Sequence, residues 1–437
     1  MLLSQDRLRE YFVQGCKREN DLQIGVEWEK LGVYKDTAEA IPYSGPKGVE
    51  RILEELVKNF KWRPIYENSH IVALAKDASS ITLEPGGQLE LSGQKALTLD
   101  QNAAELKNHL WEIKQVSEPL GITWLGLGLQ PISAVDAIEW VPKRRYEIMR
   151  NLLKGRGELT YSMMKKTASI QISLDFLSEK DAIFKFRTAM GLSPFLFAMF
   201  ANSPISNGVL SGFHTERAFI WANTDPARAG IIERVFDPHF SFYDYVDHVL
   251  NVPMFFIIRD GNWLAISRMN FKEFIQRGYQ GHTATWEDWQ LHLTTIFTDV
   301  RLKQYIEIRC IDCQRTEMGL SAPAFIKGLF YDASSLRGAW DLVADLSLKE
   351  RLILSNDVAK SGVKAKLRGK PILEIIKKLI QLSEKGLQSK SDVDYLKPLK
   401  NMTMDRENTP ADLLIDCFKK ATGKKDRIDS LVRCASI

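Results

Sequence analysis

The sequence lacks any apolar stretch long enough to cross a membrane. Its longest apolar runs, such as Pro253 to Ile258, are far shorter than the ~20 residues that a spanning helix needs. Residues 1–10 also lack the apolar core of a signal peptide. Cysteine is scarce, and five cysteines in 437 residues are an odd number that does not favour a disulfide framework. We therefore expect a reduced, cytoplasmic protein with no membrane partner.

Several catalytic signatures are missing as well. Gly126-Leu127-Gly128 has neither the third glycine nor the later acidic residue of a dinucleotide-binding fingerprint. Cys310 and Cys313 form one Cys-x-x-Cys motif without a second pair or a thioredoxin-like setting, which favours a structural role over a metal or redox role. The sequence also offers no Ser/His/Asp or Cys/His constellation. No metal-ligand spacing connects His214, His239, His248, His282 and His292.

Positive charge is concentrated in the C-terminal part of the chain. The formal net charge of the whole chain is +4, whereas residues 351–437 contain 19 Lys and Arg against 11 Asp and Glu, a net charge of +8. Such a region can bind nucleic acid or an anionic membrane. Acidic residues are interspersed throughout it, however, which is typical of a solvated helical face. We therefore expect no nucleic-acid partner.

The hydrophobic periodicity predicts strands in hairpins, separated by long helices. Arg259-Asp260-Gly261-Asn262 between two apolar runs is a strong hairpin signal. Because no strict βαβ rhythm is present, we predict an α+β fold with an antiparallel sheet, almost all helical after about residue 320. Strands are predicted at 24–33, 71–75, 80–83, 88–91, 121–130, 169–176, 255–258, 263–266 and 300–308, and helices at 3–12, 49–60, 99–116 and 178–190.

Carboxylates recur on the polar sides of these predicted strands. Glu27 and Glu29 point to the same face of their strand, about 7 Å apart. Two unpaired carboxylates repel each other, so either they face water or a cation neutralises them. Mg²⁺ suits such a site because it prefers oxygen ligands and often bridges carboxylates to nucleotide phosphates.

Three further segments repeat this arrangement. Glu84 and Glu90 flank a Pro-Gly-Gly bend whose glycines can admit a phosphate close to the backbone. Gln171 lies on the polar face of a third strand, and Glu307 and Arg309 share the polar face of a fourth. A hairpin turn or a salt bridge explains each segment by itself. Together they predict one acidic cavity beside an antiparallel sheet, which suits two or more Mg²⁺ ions with ATP.

Residues 216–228 contain two arginines among aromatic neighbours. Arg217 and Arg228 suit two-point binding of a carboxylate or phosphate, and Trp221 lies between them in the sequence. Asn223 to Pro226 is typical of a turn, which fits a loop at a cleft edge or a solvated loop.

Eight ordered motifs lie within roughly residues 20–335. They are Gly-Val-Glu-Trp-Glu-Lys at 25–30, Leu-Glu-Pro-Gly-Gly-Gln-Leu-Glu-Leu-Ser-Gly at 83–93, Thr-Ala-Ser-Ile-Gln-Ile-Ser-Leu-Asp-Phe at 167–176, Phe-Ala-Asn-Ser-Pro at 200–204, Ile-Trp-Ala-Asn-Thr-Asp at 220–225, His-Leu-Thr-Thr-Ile-Phe at 292–297, Val-Arg-Leu-Lys at 300–303 and Tyr-Ile-Glu-Ile-Arg at 305–309. Together they resemble the plant and proteobacterial type of glutamate–cysteine ligase. The region after them resembles the family only loosely.

The resemblance implies a glutamine-synthetase-like core, in which a curved antiparallel sheet forms a funnel-shaped active site with surrounding helices. It also implies an ATP-dependent ligase that phosphorylates the glutamate γ-carboxylate and transfers the acyl group to the cysteine amine, the first step of glutathione synthesis. We expect a catalytic domain over residues 1–350 and a basic helical region over 351–437 packed on the same domain. The expected partners are glutamate, cysteine and ATP, and the expected state is a monomer or homodimer.

Matching the motifs residue by residue implies a role for each candidate. The implied Mg²⁺ ligands are Glu27, Glu29, Glu90 and Glu307. The implied nucleotide contacts are Gln171 and Glu84, and the implied catalytic residues are Arg309, at the phosphate charge, and Glu307. The implied substrate-binding residues are Arg145, Arg217, Trp221 and Arg228.

The sequence departs from the family's motifs at two places. Lys165-Lys166 stands where the family has Leu-Arg, so an arginine role there is not carried over, and Cys310 and Cys313 stand among positions where the plant enzymes have small residues. The regulatory cysteine pairs of the plant enzymes have no counterpart that can be placed on this chain.

Two alternative functions are compatible with the same motifs. One alternative is a γ-glutamyl ligase of the same fold with another amine acceptor. The other is a binding protein that has lost catalysis, against which the full set of carboxylates argues.

Overall fold

A nine-stranded antiparallel sheet forms the centre of the computed structural model, which describes residues 3–437. The strands are β1 Ile24–Tyr34, β2 Arg63–Glu67, β3 His70–Lys76, β4 Ser79–Leu83, β5 Leu89–Ser92, β6 Ile122–Leu125, β7 Ser169–Leu174, β8 Ile205–Ser206, β9 Val209–Leu210, β10 Ala229–Gly230, β11 Phe256–Arg259, β12 Asn262–Ala265, β13 Phe297–Thr298, β14 Val300–Leu302, β15 Ile306–Asp312, β16 Lys366–Leu367 and β17 Lys370–Pro371. In the large sheet the order is β14-β15-β7-β1-β5-β4-β3-β2, and β6 also pairs with β1. The predicted α+β fold with an antiparallel sheet is confirmed.

Helices surround this sheet and make up most of the C-terminal part. They are α1 Gln5–Val13, α2 Val49–Phe60, α3 Leu99–Ser117, α4 Arg144–Leu153, α5 Thr160–Lys166, α6 Glu179–Met199, α7 Glu216–Ala222, α8 Phe242–Asn251, α9 Phe271–Arg277, α10 Trp286–Leu293, α11 Thr316–Phe330, α12 Ala333–Asp341, α13 Leu348–Ser361, α14 Leu373–Gly386, α15 Lys390–Lys400, α16 Pro410–Lys420 and α17 Lys424–Ala435. Across residues 3–437, no helix combines the length and apolar character that a membrane crossing requires.

The apolar face of the central strands packs against α11. Trp28 of β1 and Ile170 of β7 are buried, and both contact the helix at Gly319. A Cβ at Gly319 would lie 3.0 Å from the Trp28 ring, so a glycine lets the helix approach the sheet this closely. Burying a large side chain such as Trp28 stabilises the fold by about 1.5–3 kcal/mol. Side chains alternate along a strand, so this packing turns Glu27 and Glu29 to the opposite face.

The C-terminal helices pack on the far half of β1 and on β6. A second apolar cluster joins Leu31 and Val33 of β1 to Leu414 of α16 and Leu431 of α17. The end of α17 is also bonded to the edge of β6. The Ile437 amide donates to the Trp124 carbonyl at 3.1 Å, and the Gly126 amide donates to the Ala435 carbonyl at 2.9 Å.

The structure corrects two strand predictions and adds one strand that was not predicted. The single strand predicted at 300–308 is wrong, because the chain turns at Lys303 to Tyr305 and forms the hairpin β14–β15. The strand predicted at 121–130 ends at Leu125, since the Gly126 and Gly128 amides bond to Ala435 and Asn202 instead. The exposed strand β2, at residues 63–67, was not predicted because it lacks alternating burial and contains a proline.

Candidate active site

Cross-strand pairing places the polar side chains of three strands on one face of the sheet. Glu29 of β1 lies opposite Glu90 of β5, and Glu27 lies opposite Gln171 of β7. Directly paired residues in an antiparallel sheet project to the same side. The predicted gathering of these four side chains is therefore a consequence of strand register.

The edge hairpin extends this polar face. Glu307 of β15 lies opposite Ser173 of β7 on one side and opposite Arg301 of β14 on the other. The register of β15 shifts between Ile308 and Ile311. Arg309 lies within this irregularity, and such bulges re-aim side chains next to functional sites.

A cavity of about 310 Å³ lies over this face of the sheet. Nine of the eleven site residues predicted from the sequence line it. The predicted residues that line it are Glu27, Glu29, Glu84, Glu90, Arg145, Gln171, Arg217, Trp221 and Arg309. Glu307 and Arg228 are the two predicted residues that are not among its lining residues.

The charged residues of the cavity divide into an acidic group and a cationic group. The acidic members come from β1, β5 and the loop before β5, whereas the cationic members come from α4, α7 and β15. The cavity therefore has an acidic floor on the sheet and a cationic wall beside it.

Burial and mutual repulsion shape the charges of the floor. Burial, and then the nearby charges of Glu84 and Glu90, raises the pKa of Glu29 to about 8. Burial raises the pKa of Glu27 and of Glu84 as well, and in both cases the Glu90 charge adds to the effect. The nearby cations only partly offset burial and the repulsion between these carboxylates. The floor can gain stability by binding either protons or a cation.

Hydrogen bonds fix the orientation of two floor carboxylates. The Ser169 amide donates to Glu29 Oε2 at 2.6 Å, and Gln171 Nε2 donates to Glu29 Oε1 at 2.8 Å. The Thr82 hydroxyl donates to Glu90 Oε1 at 2.8 Å. Gln171 in turn accepts a bond from Arg309 Nη1. These bonds hold the carboxylates in place before any ligand arrives.

A buried lysine lies behind the floor, on the core side of the sheet. Lys30 Nζ donates to the Trp28 carbonyl of β1 at 2.8 Å and to the Leu89 carbonyl of β5 at 3.2 Å. Burial lowers the pKa of Lys30 to about 7. Its two bonds tie together the strands that carry Glu29 and Glu90.

Glu307 is wholly enclosed by cations. Its carboxylate pairs with Arg301 Nη2 at 2.5 Å, Arg309 Nη1 at 2.7 Å and Lys303 Nζ at 3.2 Å. Burial alone would raise the pKa of Glu307, but these three charges outweigh burial and hold that pKa below its ordinary value. The predicted role of Glu307 as a Mg²⁺ ligand is not supported, because its oxygens are already occupied and lie off the cavity surface. Its position instead suits holding Arg301 and Arg309 at the cavity.

The cationic wall presents unused hydrogen-bond donors. Arg217 Nη2 donates to the Arg309 carbonyl at 2.8 Å, and Arg217 Nη1 lies 3.6 Å from Asp312 Oδ1. Within residues 3–437, Nε and Nη1 of Arg217 and Nε1 of Trp221 are buried without a hydrogen-bond partner. Leaving a buried donor unpaired costs about 1–3 kcal/mol. A ligand with acceptor oxygens would remove that cost.

The guanidinium of Arg228, by contrast, donates all its observed hydrogen bonds to groups within the protein. Its Nε donates to Asp225 Oδ2 at 2.9 Å, its Nη1 to the Thr295 carbonyl at 3.1 Å and its Nη2 to the Pro253 carbonyl at 2.7 Å. The guanidinium also lies 3.7 Å from the centre of the Phe255 ring. The predicted substrate contact of Arg228 is therefore not supported, and the residue holds a loop in place.

Replacing Arg228 with lysine is expected to lower the free energy of unfolding by about 2–3 kcal/mol, because one ammonium cannot satisfy the three acceptors. Glutamate saturation should stay normal. Chemical denaturation and substrate kinetics on the same preparation test this. A raised glutamate KM with unchanged stability would return Arg228 to the substrate site.

Several lining residues were not predicted. Lys143 and Tyr146 come from the start of α4, where a run of polar residues gave no local signal, and Arg301 lay in a matched segment but was given no role. Lys143 Nζ and the Tyr146 hydroxyl both donate to the Leu83 carbonyl, at 3.1 and 2.5 Å. The cavity also has an apolar side, formed by Met149, Met163 and Met164.

The two cysteines of the Cys-x-x-Cys motif are separate buried thiols. Burial raises the pKa of Cys310 well above its ordinary value and that of Cys313 to about 12. The Cys313 thiol donates to the Glu29 carbonyl at 2.8 Å. In residues 3–437, no group of three or more His, Cys, Asp or Glu side chains is arranged to hold a metal ion. This finding covers the carboxylates of the acidic floor as well as the Cys-x-x-Cys motif.

Comparison with known proteins decides the family. The model of glutamate-cysteine ligase family 2 matches residues 23–428. The chain is 39% identical over 422 residues to "Glutamate--cysteine ligase B, chloroplastic" of Oryza sativa subsp. japonica, covering 95% of this chain and 84% of that protein. The chain belongs to glutamate-cysteine ligase family 2. It is also 36% identical over 427 residues to "Glutamate--cysteine ligase, chloroplastic" of Arabidopsis thaliana, covering 97% of this chain and 81% of that protein.

Solved structures share the fold with this member of glutamate-cysteine ligase family 2. One is a glutamate–cysteine ligase from Francisella tularensis in complex with AMP, with a TM-score of 0.58 and 14% identity, covering 96% of this chain and 89% of that chain. Another is a bifunctional glutathione synthetase from Pasteurella multocida, with a TM-score of 0.51 and 12% identity, covering 99% of this chain and 53% of that chain. At such low identity the similarity concerns the fold alone.

Proposed function

We propose that this member of glutamate-cysteine ligase family 2 joins the γ-carboxylate of glutamate to the amine of cysteine. ATP drives the reaction through a γ-glutamyl phosphate, and the reaction is the first step of glutathione synthesis. The observation that carries this proposal is one cavity with an acidic floor and a cationic wall. Such a cavity can hold a nucleotide with its cations and an anionic amino acid side by side.

The acidic floor fits Mg²⁺ by the chemistry of its donors. Glu27 and Glu29 supply oxygen ligands, and burial together with the charge of Glu90 raises the pKa of both. With Glu90 they are the proposed ligands of the two or more ions that we expect with ATP, and binding would require these carboxylates to move closer together. When bound, Mg²⁺ neutralises phosphate charge and orients the transferred phosphoryl group. Gln171 and Glu84 are the proposed nucleotide contacts.

The reaction needs positioning more than a side-chain nucleophile. The γ-carboxylate attacks the γ-phosphorus of ATP, which forms the acyl phosphate and releases ADP. The cysteine amine then attacks the acyl carbon, and phosphate leaves from the tetrahedral intermediate. Negative charge develops on transferred and leaving oxygens in both steps, so Arg309 at the cavity is the proposed catalytic cation. Glu307 keeps that guanidinium in place.

The apolar side of the cavity supports cysteine as the acceptor. Met149, Met163 and Met164 offer soft thioether surfaces that suit a thiol. A serine hydroxyl against the same surfaces would lose its hydrogen bonds to water without replacement, at a cost of about 1–3 kcal/mol. We therefore place the acceptor side chain at these methionines.

Arg217 is the proposed partner of a glutamate carboxylate, with Trp221 and Arg145 beside it. Replacing Arg217 with lysine keeps the charge but removes the two-point fork, so glutamate use should weaken by about 1–3 kcal/mol. This loss should appear as a fall in kcat/KM for glutamate with little change for ATP. Arg228→Lys is the matched control, since it should change stability instead. Normal glutamate use with weakened ATP binding in Arg217→Lys would assign this arginine to the nucleotide.

An assay of ADP release tests the proposed function directly. The purified protein is given ATP, Mg²⁺ and glutamate with cysteine, serine, alanine or 2-aminobutyrate as the acceptor. We expect rapid release with cysteine, slow release with serine and alanine, and release with 2-aminobutyrate nearer to that with cysteine. Rapid release with another amine alone would establish the alternative acceptor. Absence of release with every amine would indicate a binding protein.

We also propose one catalytic domain, residues 1–350, on which residues 351–437 pack, in a cytoplasmic monomer or homodimer. The apolar cluster that β1 shares with the C-terminal helices supports the packing of residues 351–437 on the catalytic domain. Size measurement in solution and limited proteolysis test the arrangement.

A further inference from the structure

Two cysteines far from the cavity face each other across the last two helices. Cys417 lies on α16 and Cys434 on α17, and their sulfur atoms are 2.6 Å apart. Both are free thiols in the structure. A disulfide bond has a sulfur–sulfur distance of about 2.05 Å, so the two thiols lie within reach of each other.

Small molecules can reach this pair. Both cysteines are partly exposed, and both line a separate cavity of about 450 Å³. That cavity is bounded mainly by α16, by the end of α17 and by the start of α11. Lys420 of α16 also lines it. Cys310 and Cys313 are buried instead.

The surroundings of Cys434 distinguish the two thiols. The Cys434 thiol donates to the Cys417 sulfur. Burial, and then the contact with Cys417, raises the pKa of Cys434 to about 11. Because the thiolate is the attacking form of cysteine, Cys434 is the poorer first nucleophile, and we assign it the role of the resolving thiol that follows Cys417.

We propose that Cys417 and Cys434 form an oxidative modification site, at which a low-molecular-weight disulfide converts the two thiols into an internal disulfide joining α16 to α17. The Cys417 thiolate attacks one sulfur of the small disulfide, which gives a mixed disulfide and releases one thiolate. Cys434 then loses its proton and attacks the Cys417 sulfur, which releases the second. The two protein thiols are oxidised, and the small disulfide is reduced to two thiols that take up the two protons.

The cross-link would fasten the C-terminal helices to the sheet. The end of α17 already bonds to Trp124 and Gly126 at the edge of β6, and α16 contributes Leu414 to the same apolar cluster. Joining the helices limits the freedom they gain when they detach. The cross-link lies outside the proposed ligase cavity, so it should change the stability of this region and leave basal activity nearly unchanged.

Trapping the mixed disulfide tests the proposal independently of ligase activity. The full-length protein, Cys417→Ser and Cys434→Ser are incubated with glutathione disulfide and analysed by mass spectrometry of intact protein and peptides. The wild type should become lighter by two hydrogen atoms and yield a linked α16–α17 peptide. Cys434→Ser should accumulate a glutathione adduct at Cys417, about tenfold faster than Cys417→Ser accumulates one at Cys434.

Protease digestion gives a second measurement on the same samples. Cleavage within residues 410–437 should slow several-fold in the oxidised wild type, return to its initial rate after reduction and stay unchanged in both serine variants. A wild type that acquires only single adducts, or equal adduct rates in the two variants, would overturn the proposal. So would a cross-linked wild type that is cleaved as fast as the reduced protein.

Discussion

Replacing Glu27 or Glu90 with glutamine is expected to lower turnover about a hundredfold or more. Both side chains belong to the acidic floor, and loss of one anionic ligand removes several kcal/mol of charge stabilisation from a metal-assisted transition state. Glutamine keeps the shape and one oxygen, so the cavity should persist. Steady-state kinetics at saturating ATP, glutamate and cysteine measure the effect.

The same two substitutions, Glu27→Gln and Glu90→Gln, should not lower the stability of the fold although they lower turnover. Burial and the Glu90 charge raise the pKa of Glu27, which means that its ionised form destabilises the fold near neutral pH. A neutral glutamine at either position relieves this repulsion. Glu27→Gln and Glu90→Gln should therefore unfold at the same denaturant concentration as the wild type, or at a higher one.

A nearby carboxylate outside the cavity provides the control. Glu105 accepts bonds from the Ser79 hydroxyl and from the Gln94 amide, beside the same strands. Glu105→Gln should retain nearly normal turnover. Raising the Mg²⁺ concentration should partly restore Glu90→Gln and have no effect on the control. Normal turnover of Glu27→Gln and Glu90→Gln at ordinary Mg²⁺ would remove both residues from the site.

Replacing Glu307 with glutamine is expected to lower the free energy of unfolding by about 3–5 kcal/mol. The substitution leaves Arg301, Lys303 and Arg309 around a neutral amide, and breaking a buried ion pair by removing one partner carries a cost of this size. Turnover should fall as well, because Arg309 loses its anchor. Denaturant unfolding and steady-state kinetics measure the two effects separately.

A double substitution distinguishes this explanation from loss of a metal ligand. Combining Glu307→Gln with Arg301→Gln removes one of the stranded charges, so stability should partly recover, and the two effects should not add. The Mg²⁺ concentration for half-maximal activity should stay close to that of the wild type. A normally stable Glu307→Gln with a greatly raised Mg²⁺ requirement would show that Glu307 binds the metal after all.

The sequence was informative wherever function follows strand alternation. Glu27 and Glu29 alternate with buried Val26 and Trp28, so their shared face was predictable before any pairing was known. The pairing of Glu29 with Glu90 was not predicted, because α2 and three strands separate β1 from β5 along the chain. The same logic failed at 300–308, where a turn interrupts alternating residues without a Gly or Pro to mark it.

Roles that depend on tertiary contacts could not be predicted. Arg217 and Arg228 look equivalent in the sequence, yet Asp225 and two carbonyls occupy only Arg228. Glu307 has the same local pattern as Glu27, but three cations converge on it from β14 and β15. The contact between Cys417 and Cys434 joins two helices whose sequence spacing gave no signal.

The fate of the glutamate γ-oxygen tests the central claim most directly. Glutamate carrying heavy oxygen in its γ-carboxylate is incubated with the protein, ATP, Mg²⁺ and cysteine, and the products are weighed by mass spectrometry. If the acyl phosphate forms, one heavy oxygen must leave with phosphate when the cysteine amine attacks. We therefore predict γ-glutamylcysteine together with singly labelled phosphate. Unlabelled phosphate, or consumption of ATP without the dipeptide, would contradict the proposed reaction.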